Sequence, residues 1–228
     1  CEQSDLFDAC YAVDDILTEA EKKHAMEKEF AIANLQQLII QCMDEKKVAV
    51  LFPGIGYHTD KPLLYYSKKL AREREYEIIE IKYGELPSGV KGNPDKMLEA
   101  FRKALQYATE QLTAVKFNTY SEVLFISKSV GTAVAAAYAK QYNINARQIY
   151  YTPVAESFDV IGQEGIVFHG TADPWAETAK IQKECEKRGL PLYLTENANH
   201  SMETGVVERD LEIMQDIMEK TAAYMDKR

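Results

Sequence analysis

Three residues of the types that form a nucleophile, a general base and an orienting acid each follow a short apolar segment of this sequence: Ser129, His200 and Asp173. A serine hydroxyl attacks a carbonyl carbon readily only when a neighbouring base takes its proton. That base needs a carboxylate that fixes its tautomer and stabilises its protonated form. The residues occur in the chain order Ser, Asp, His. Their types and positions therefore indicate nucleophilic chemistry at the ends of three predicted strands.

Ser129 lies where an apolar run, residues 123–126, passes almost directly into a helix-forming run, residues 132–137. A tight turn there would raise the Ser129 hydroxyl above the sheet edge, and the start of the helix would offer free N–H groups to a developing negative charge. Gly131 leaves room for the helix to pass close to the strand. The first glycine of the usual G-x-S-x-G pattern is replaced by Ser127, so the prediction also depends on the acid and the base.

The acid and base candidates follow two further predicted strands. Asp173 comes after a buried strand over 165–169 and a glycine turn, and His200 comes after a strand over 191–195 and a polar loop. Each residue alone has a structural interpretation, because Ser129 and Asp173 could cap helices and His200 could be a polar loop residue. Their joint occurrence at strand ends favours a triad.

From about residue 46 to the C-terminus the sequence resembles a small α/β-hydrolase, of the dienelactone-hydrolase-like serine esterases, in its elbow and in the order of its triad. The resemblance implies a three-layer α/β fold, with a mostly parallel sheet and helices on both faces. It also implies a carboxylesterase-like serine hydrolase that cleaves an ester or related acyl bond of a small molecule through an acyl-enzyme, without a cofactor. Ser129 would be the nucleophile, His200 the base and Asp173 the orienting acid.

Alternating strand and helix patterns independently predict a parallel sheet. The predicted strands are 47–52, 77–82, 122–126, 147–151, 165–169 and 191–195, and the predicted helices are 61–73, 95–115, 130–142, 174–188 and 205–226. Family members with a large cap insert it between the fourth and fifth of these strands. Only about a dozen residues lie there, so the resemblance implies no cap at that place.

By the same resemblance, backbone amides would stabilise the oxyanion. The amide of Ile55 or Gly56, in the loop after the first strand, would act with the amide of Val130, and the sequence leaves open which of the first two donates. The predicted substrate contacts adjoin the triad turns, and they are Tyr57, His58, Lys128 and Trp175.

Two nucleotide-binding motifs and a metal site are excluded by spacing. Gly54 and Gly56 could begin a dinucleotide fingerprint, but Thr59 occupies the position of its third glycine. The Lys-Ser pair at 128–129 could end a P-loop, but the glycines of that motif are missing. No histidine pair or cysteine cluster has metal-ligand spacing, so we expect no metal.

Residues 1–45 form a separate acidic segment in this interpretation. They hold eleven acidic residues against three lysines, which gives −8 of the net charge of −9. Two apolar stripes with helical spacing, from Leu6 to Leu17 and from Ala31 to Cys42, predict a helical hairpin, with Thr18 and Glu21 as a capping box. The hairpin could cover a sheet edge, form a homodimer interface or act as a lid, and the first two are favoured.

Residues 46–228 are nearly neutral, which gives no electrostatic reason for binding nucleic acid or an anionic membrane. No apolar run has membrane-spanning length. The four cysteines show no disulfide framework, which favours reduced thiols and a cytoplasmic protein, although Cys1 leaves open a processed terminus. The alternative to an enzyme is a non-catalytic binding or scaffolding protein on the same fold.

Overall fold

A computed structural model of the chain describes residues 18–19, 21–37 and 46–227. Contacts divide the chain into two compact units, Cys1–Glu45 and Lys46–Arg228. Residues 18–19 and 21–37 are helical. Because Thr18 is itself helical, it is not the extended N-cap that the predicted capping box requires. The first apolar stripe, from Leu6 to Leu17, lies outside the described residues.

The second unit is built on a six-stranded parallel sheet with the strand order β2-β1-β3-β4-β5-β6. The strands are β1 (Lys47–Phe52), β2 (Tyr76–Glu80), β3 (Glu122–Lys128), β4 (Arg147–Tyr151), β5 (Ile166–Gly170) and β6 (Leu192–Thr195). The helices are α1 (Pro62–Glu73), α2 (Pro94–Leu112), α3 (Val130–Gln141), α4 (Thr178–Arg188) and α5 (Val207–Asp226). The predicted α/β architecture is confirmed.

Helices cover both faces of this sheet. Apolar residues of α1 and α5 pack on one face, and apolar residues of α2 and α3 pack on the other. β1 is buried along almost its whole length because it is covered on both sides. Ala49 and Leu51 belong to the first core and Val48 and Val50 to the second, as the alternation of side chains along a strand requires.

The helices lie close to their predicted bounds, and the largest differences are at the end of α2 and the start of α4. α2 ends at Leu112 instead of 115, and a short 3₁₀ turn, Phe117–Thr119, follows it. α4 begins at Thr178 instead of 174, because the segment after Asp173 first makes a turn in which the Asp173 carboxylate accepts a hydrogen bond from the Trp175 amide. A second 3₁₀ segment, Ala155–Asp159, was not predicted.

The topology fixes where a site can form. The chain runs outward from β1 to β2 on one side and continues from β3 on the other, so the strand order reverses between β1 and β3. In open α/β sheets, ligands bind in the crevice beyond the carboxyl ends of the strands at such a reversal. The residue after β3 is Ser129, and the loop after β1 contains Gly54 and Gly56. No helix in the described part of the chain is long and apolar enough to cross a membrane.

Candidate active site

Ser129 occupies a strained turn between β3 and α3. Its backbone angles are φ 55° and ψ −125°, which a residue with a Cβ rarely adopts. Such strain, of order 1–3 kcal/mol, persists only where surrounding contacts enforce it. Here the Ser129 amide donates to the carbonyl oxygen of Tyr151 at 3.0 Å, and the Thr132 amide and hydroxyl both donate to the carbonyl oxygen of Ser129. The turn therefore has the geometry of a nucleophile elbow.

Two glycines allow the loop after β1 to lie against this turn. A Cβ on Gly131 would collide with the carbonyl oxygens of Phe52 and Pro53, so α3 begins directly beneath the end of β1. A Cβ on Gly54 would lie 3.1 Å from the Cβ of Ser129. The predicted role of Gly131 in close packing thus has a direct structural basis.

Ser127, which replaces the usual first glycine, causes no backbone strain. It is absent from the residues with positive φ, and its buried hydroxyl donates to the carbonyl oxygen of Ile149 at 3.0 Å. The hydroxyl is therefore satisfied by the neighbouring strand β4, and the position tolerates serine.

The structure brings the three predicted triad residues together. His200 Nε2 lies 2.8 Å from Ser129 Oγ, and His200 Nδ1 lies 2.8 Å from Asp173 Oδ2. The two loops that carry Asp173 and His200 touch at Gly170, where a Cβ would collide with the carbonyl oxygen of Ala198.

The electrostatic environment of Asp173 and His200 determines which atoms of the two side chains carry protons. Burial alone would raise the pKa of Asp173, but the hydrogen bond and charge of His200 outweigh it, and the net pKa lies below its ordinary value. Burial lowers the pKa of His200, the Lys128 charge lowers it further, and the hydrogen bond to Asp173 opposes both. An ionised Asp173 accepts the Nδ1 proton, so Nε2 of the neutral ring is left to accept the proton of Ser129.

Two further residues contact His200, one at its ring and one at its backbone. The Trp175 ring stacks on the imidazole, with centroids 5.3 Å apart and planes 28° apart. The Thr152 hydroxyl donates to the carbonyl oxygen of His200 at 3.1 Å, and Thr152 itself has φ 42°. Thr152 was not singled out from the sequence, and only its position at the end of a predicted strand pointed to it.

Two buried nitrogen groups near Asp173 lack hydrogen-bond partners among the described residues: His169 Nδ1 and Lys128 Nζ. His169 Nδ1 lies 3.8 Å from Asp173 Oδ2, and its Nε2 lies 3.2 Å from the hydroxyl of Thr178. Lys128 Nζ lies 5.0 Å from the centroid of the Tyr57 ring. Burial lowers the pKa of Lys128 to about 7, against the opposing charge of Asp173.

The loop after β1 leaves amides available for an oxyanion. Gly54 and Tyr57 exchange amide-to-carbonyl hydrogen bonds of 3.1 and 3.2 Å around a turn that has Gly56 at φ 71°. Within the described chain, the amides of Ile55 and Gly56 have no hydrogen-bond partner. The Val130 amide, at the first position of α3, has no acceptor within its own helix. Which loop amide faces the substrate stays open.

A pocket of about 580 Å³ lies beside the triad. Its wall includes Val130, which follows Ser129, and Trp175, which stacks on His200. Apolar residues of α2 and α3 form much of the remaining wall, and the loop before α2 and the polar residues of the 3₁₀ segment after β4 complete it. Leu98 of this wall is 45% exposed, so part of the apolar wall is open to solvent.

Of the four predicted substrate contacts, the pocket wall contains only Trp175. Tyr57 is buried, and its hydroxyl accepts a hydrogen bond from the Leu63 amide. His58 is exposed, and its Nδ1 accepts a hydrogen bond from the Asp60 amide. Lys128 is fully buried. Among residues 18–19, 21–37 and 46–227, no cluster of three His, Cys, Asp or Glu residues could hold a metal ion.

No protein-family model and no curated protein sequence matches the chain. Solved structures do resemble it. Est1E from Butyrivibrio proteoclasticus has 8% identity and a TM-score of 0.57, over 81% of this chain and 90% of that chain. A proposed hydrolase of the α/β superfamily from Xanthomonas campestris pv. campestris has 13% identity and a TM-score of 0.56, over 78% and 99%.

A lidless α/β serine hydrolase from Xanthomonas campestris has 14% identity and a TM-score of 0.50, over 76% of this chain and 81% of that chain. Est1E has also been solved with ferulic acid bound. At these identities the likeness shows that the chain has the α/β-hydrolase fold.

Proposed function

We propose that this protein is a serine hydrolase that cleaves a carboxylic ester or related acyl bond of a small molecule, with carboxylesterase-like chemistry. The observation that carries the proposal is the chain of 2.8 Å contacts from Ser129 through His200 to Asp173, which begins at a strained elbow. Neighbouring structures described as hydrolases support the reaction class. The finer likeness to dienelactone-hydrolase-like enzymes belongs to this proposal.

The reaction follows from the proton positions. Ser129 Oγ attacks the carbonyl carbon while His200 Nε2 accepts its proton, and the ionised Asp173 stabilises the imidazolium. The Val130 amide and a loop amide of Ile55 or Gly56 stabilise the oxyanion. Collapse of the tetrahedral intermediate breaks the bond to the alcohol, which leaves with the proton from His200, and an acyl-enzyme remains. Water then attacks the acyl-enzyme while His200 accepts its proton, and the carboxylic acid is released from Ser129.

The pocket supports a substrate with an apolar group. Its volume of about 580 Å³ lies within the range of small-molecule sites, roughly 300–1,000 Å³. It meets the triad at Val130 and Trp175, so an apolar chain or ring attached to the reacting carbonyl or to the leaving oxygen would reach it. Est1E, the neighbour solved with ferulic acid, supports the inclusion of aromatic acyl groups.

The test of the reaction class is a fluorophosphonate probe, which reacts with an activated serine. We expect one covalent adduct by mass spectrometry in the wild-type protein and none in Ser129→Ala. Ser67→Ala is the matched control, because Ser67 is also buried but bonds to the Leu63 carbonyl oxygen and the Tyr151 hydroxyl. Labelling that survives Ser129→Ala would refute the nucleophile, and no labelling of folded wild-type protein would favour the binding or scaffolding alternative.

The test of the substrate class is a series of esters in which either the acyl or the alcohol chain is lengthened. Ala133 lines the pocket one helical turn after Ser129, so Ala133→Phe fills the space without touching the triad. We expect kcat/KM for the longer chain to fall at least about tenfold, as for other losses of pocket volume, while the acetate ester keeps its rate. Equal effects on short and long esters would contradict the pocket assignment.

A further inference from the structure

Lys128 is the last residue of β3 and directly precedes Ser129. Its side chain is 0% exposed, and within the part of the chain that the structure describes its Nζ has no hydrogen-bond partner. Burying an unpaired ionisable amine is costly, and an apolar residue of similar length would avoid the cost. The Tyr57 ring, 5.0 Å from Nζ, offsets it only in part, since a cation–π contact contributes about 1–2 kcal/mol.

The charged groups around Lys128 and His200 are few. Asp173 acts on both, but its carboxylate already accepts hydrogen bonds from His200 and from the Trp175 amide. His169 Nδ1 lies 3.8 Å from Asp173 Oδ2, the oxygen that also bonds to His200, and burial lowers the pKa of His169 and so disfavours a charge there. Lys91, before α2, is exposed and acts on His200 in the same direction as Lys128. Of the two lysines whose charge lowers the pKa of His200, Lys128 is the buried one and has the larger effect.

We propose that Lys128 is a positioning residue of this site: its buried amine takes up a proton before His200 does as the pH falls, and so keeps His200 in the neutral form that accepts the proton of Ser129. This inference rests on the proposed hydrolase function. Two groups in electrostatic contact titrate as a pair, and protonation of one disfavours protonation of the other. Because burial brings the pKa of Lys128 to about 7, the amine is charged throughout the acidic range in which a histidine would otherwise protonate.

The sign of the effect is fixed. A positive charge near the imidazole disfavours the imidazolium, so removing that charge raises the pKa of His200. A base with a higher pKa is protonated over a wider acidic range, and the acid limb of kcat/KM moves to higher pH. Lys128→Met removes the charge and keeps the length of the side chain, whereas Lys128→Arg keeps the charge at every pH.

The experiment measures kcat/KM against pH for an activated acetate ester. We expect the acid limb of Lys128→Met to lie at higher pH than in wild type, so that at the acid end it keeps a several-fold smaller fraction of its own plateau rate. Lys128→Arg should not move the limb upward. Lys91→Met should move it much less, because the Lys91 charge is exposed and screened by salt. An acid limb of Lys128→Met that coincides with the wild-type limb overturns the proposal.

A second measurement needs no turnover and so separates this proposal from the hydrolase proposal. The His200 ring is titrated by NMR in wild type and in Lys128→Met, with a His200→Gln variant to assign its signal. A higher titration midpoint in Lys128→Met supports the inference even if no ester is hydrolysed. If Lys128→Met does not fold, the wild-type titration decides, because the His200 signal must show a second step where Lys128 titrates. The absence of that step overturns the inference.

Discussion

Two buried lysines, Lys68 and Lys128, lie in opposite electrostatic environments. Lys68, on α1, is 5% exposed, and its Nζ donates to Asp60 Oδ1 at 3.2 Å and to Glu80 Oε2 at 2.9 Å. Lys128, at the end of β3, has no carboxylate within hydrogen-bonding distance among the described residues. Burial alone would lower both pKa values, but the hydrogen bonds that Lys68 donates to Glu80 and Asp60 raise its pKa, whereas the pKa of Lys128 falls to about 7.

The difference separates a region organised for stability from a region organised for chemistry. Around Lys68 the polar groups are paired, so none of them destabilises the fold as an unsatisfied buried group would. Around Lys128 lie a strained Ser129 and two buried nitrogen groups, the amine of Lys128 and Nδ1 of His169, that have no hydrogen-bond partner among the residues that the structure describes. Proteins retain such unfavourable features where they prepare groups for reaction, which is why perturbed pKa values concentrate at functional sites.

The largest expected effect comes from the same substitution made in both regions, Asp173→Asn and Asp60→Asn. An amide at 173 can donate to His200 Nδ1 and so favours the wrong tautomer, which lowers kcat by about 10⁴-fold in enzymes of this chemistry. Asp60 is exposed and pairs with Lys68, so Asp60→Asn should hydrolyse esters at the wild-type rate. Steady-state kinetics on one activated ester checks both, and a comparable loss in Asp60→Asn would break the distinction between the regions.

The next effect is on stability and has opposite signs at the two lysines. Lys68→Met leaves Glu80 without its partner, and we expect the free energy of unfolding to fall by about 1–3 kcal/mol. Lys128→Met replaces an unpaired buried amine with an apolar chain of similar volume, so stability at pH 7 should stay equal or rise, by up to about 3 kcal/mol. Urea unfolding of both variants at pH 7 measures the two changes.

The pH dependence of the free energy of unfolding gives a sharper test of the difference between the two lysines. Unfolded Lys128 has the ordinary pKa of 10.5 and folded Lys128 a pKa of about 7, so between these values the unfolded chain binds more protons. Wild-type stability therefore rises with pH relative to Lys128→Met, and the advantage of the variant shrinks from pH 7 towards pH 10. The pKa of Lys68 is raised, so the stability that Lys68 contributes is fully present below its ordinary pKa and is lost only as the pH rises through the raised value. A constant difference for Lys128→Met would show that its amine is not neutralised in the folded protein.

The sequence predicts the fold well because strands buried on both faces, such as β1 and β3, are short continuous apolar runs. It also locates Ser129 and Asp173, since each follows such a run, and His200, which follows the partly exposed edge strand β6 and a polar loop. The start of α4 was misplaced because Pro174 is an ordinary helix-opening signal, and only the hydrogen bond from the Trp175 amide to Asp173 delays the helix.

Contacts between side chains of distant elements could not be predicted from the sequence. Lys128 was predicted to touch substrate because of its place beside Ser129, but it lies beneath the surface over the Tyr57 ring. The pairing of Lys68 with Glu80 joins α1 to the strand that follows it, and no local pattern signals such a contact. The pocket wall formed by α2 and the 3₁₀ segment after β4 likewise depends on how these elements pack.

The smallest expected effect is that of Ser127→Gly, which restores the usual elbow glycine. The substitution removes the 3.0 Å hydrogen bond to the Ile149 carbonyl oxygen and adds backbone freedom to the unfolded chain, so we expect a loss of about 1–2 kcal/mol in stability. The Ser129 turn is held by Tyr151 and Thr132, not by Ser127, so probe labelling should proceed at the wild-type rate. Ser67→Ala, beside Lys68, should show the same combination of lower stability and unchanged labelling. Slower labelling in Ser127→Gly at an unchanged melting temperature would instead show that Ser127 contributes to the reaction. The region organised for chemistry would then include Ser127 as well as Lys128 and Ser129.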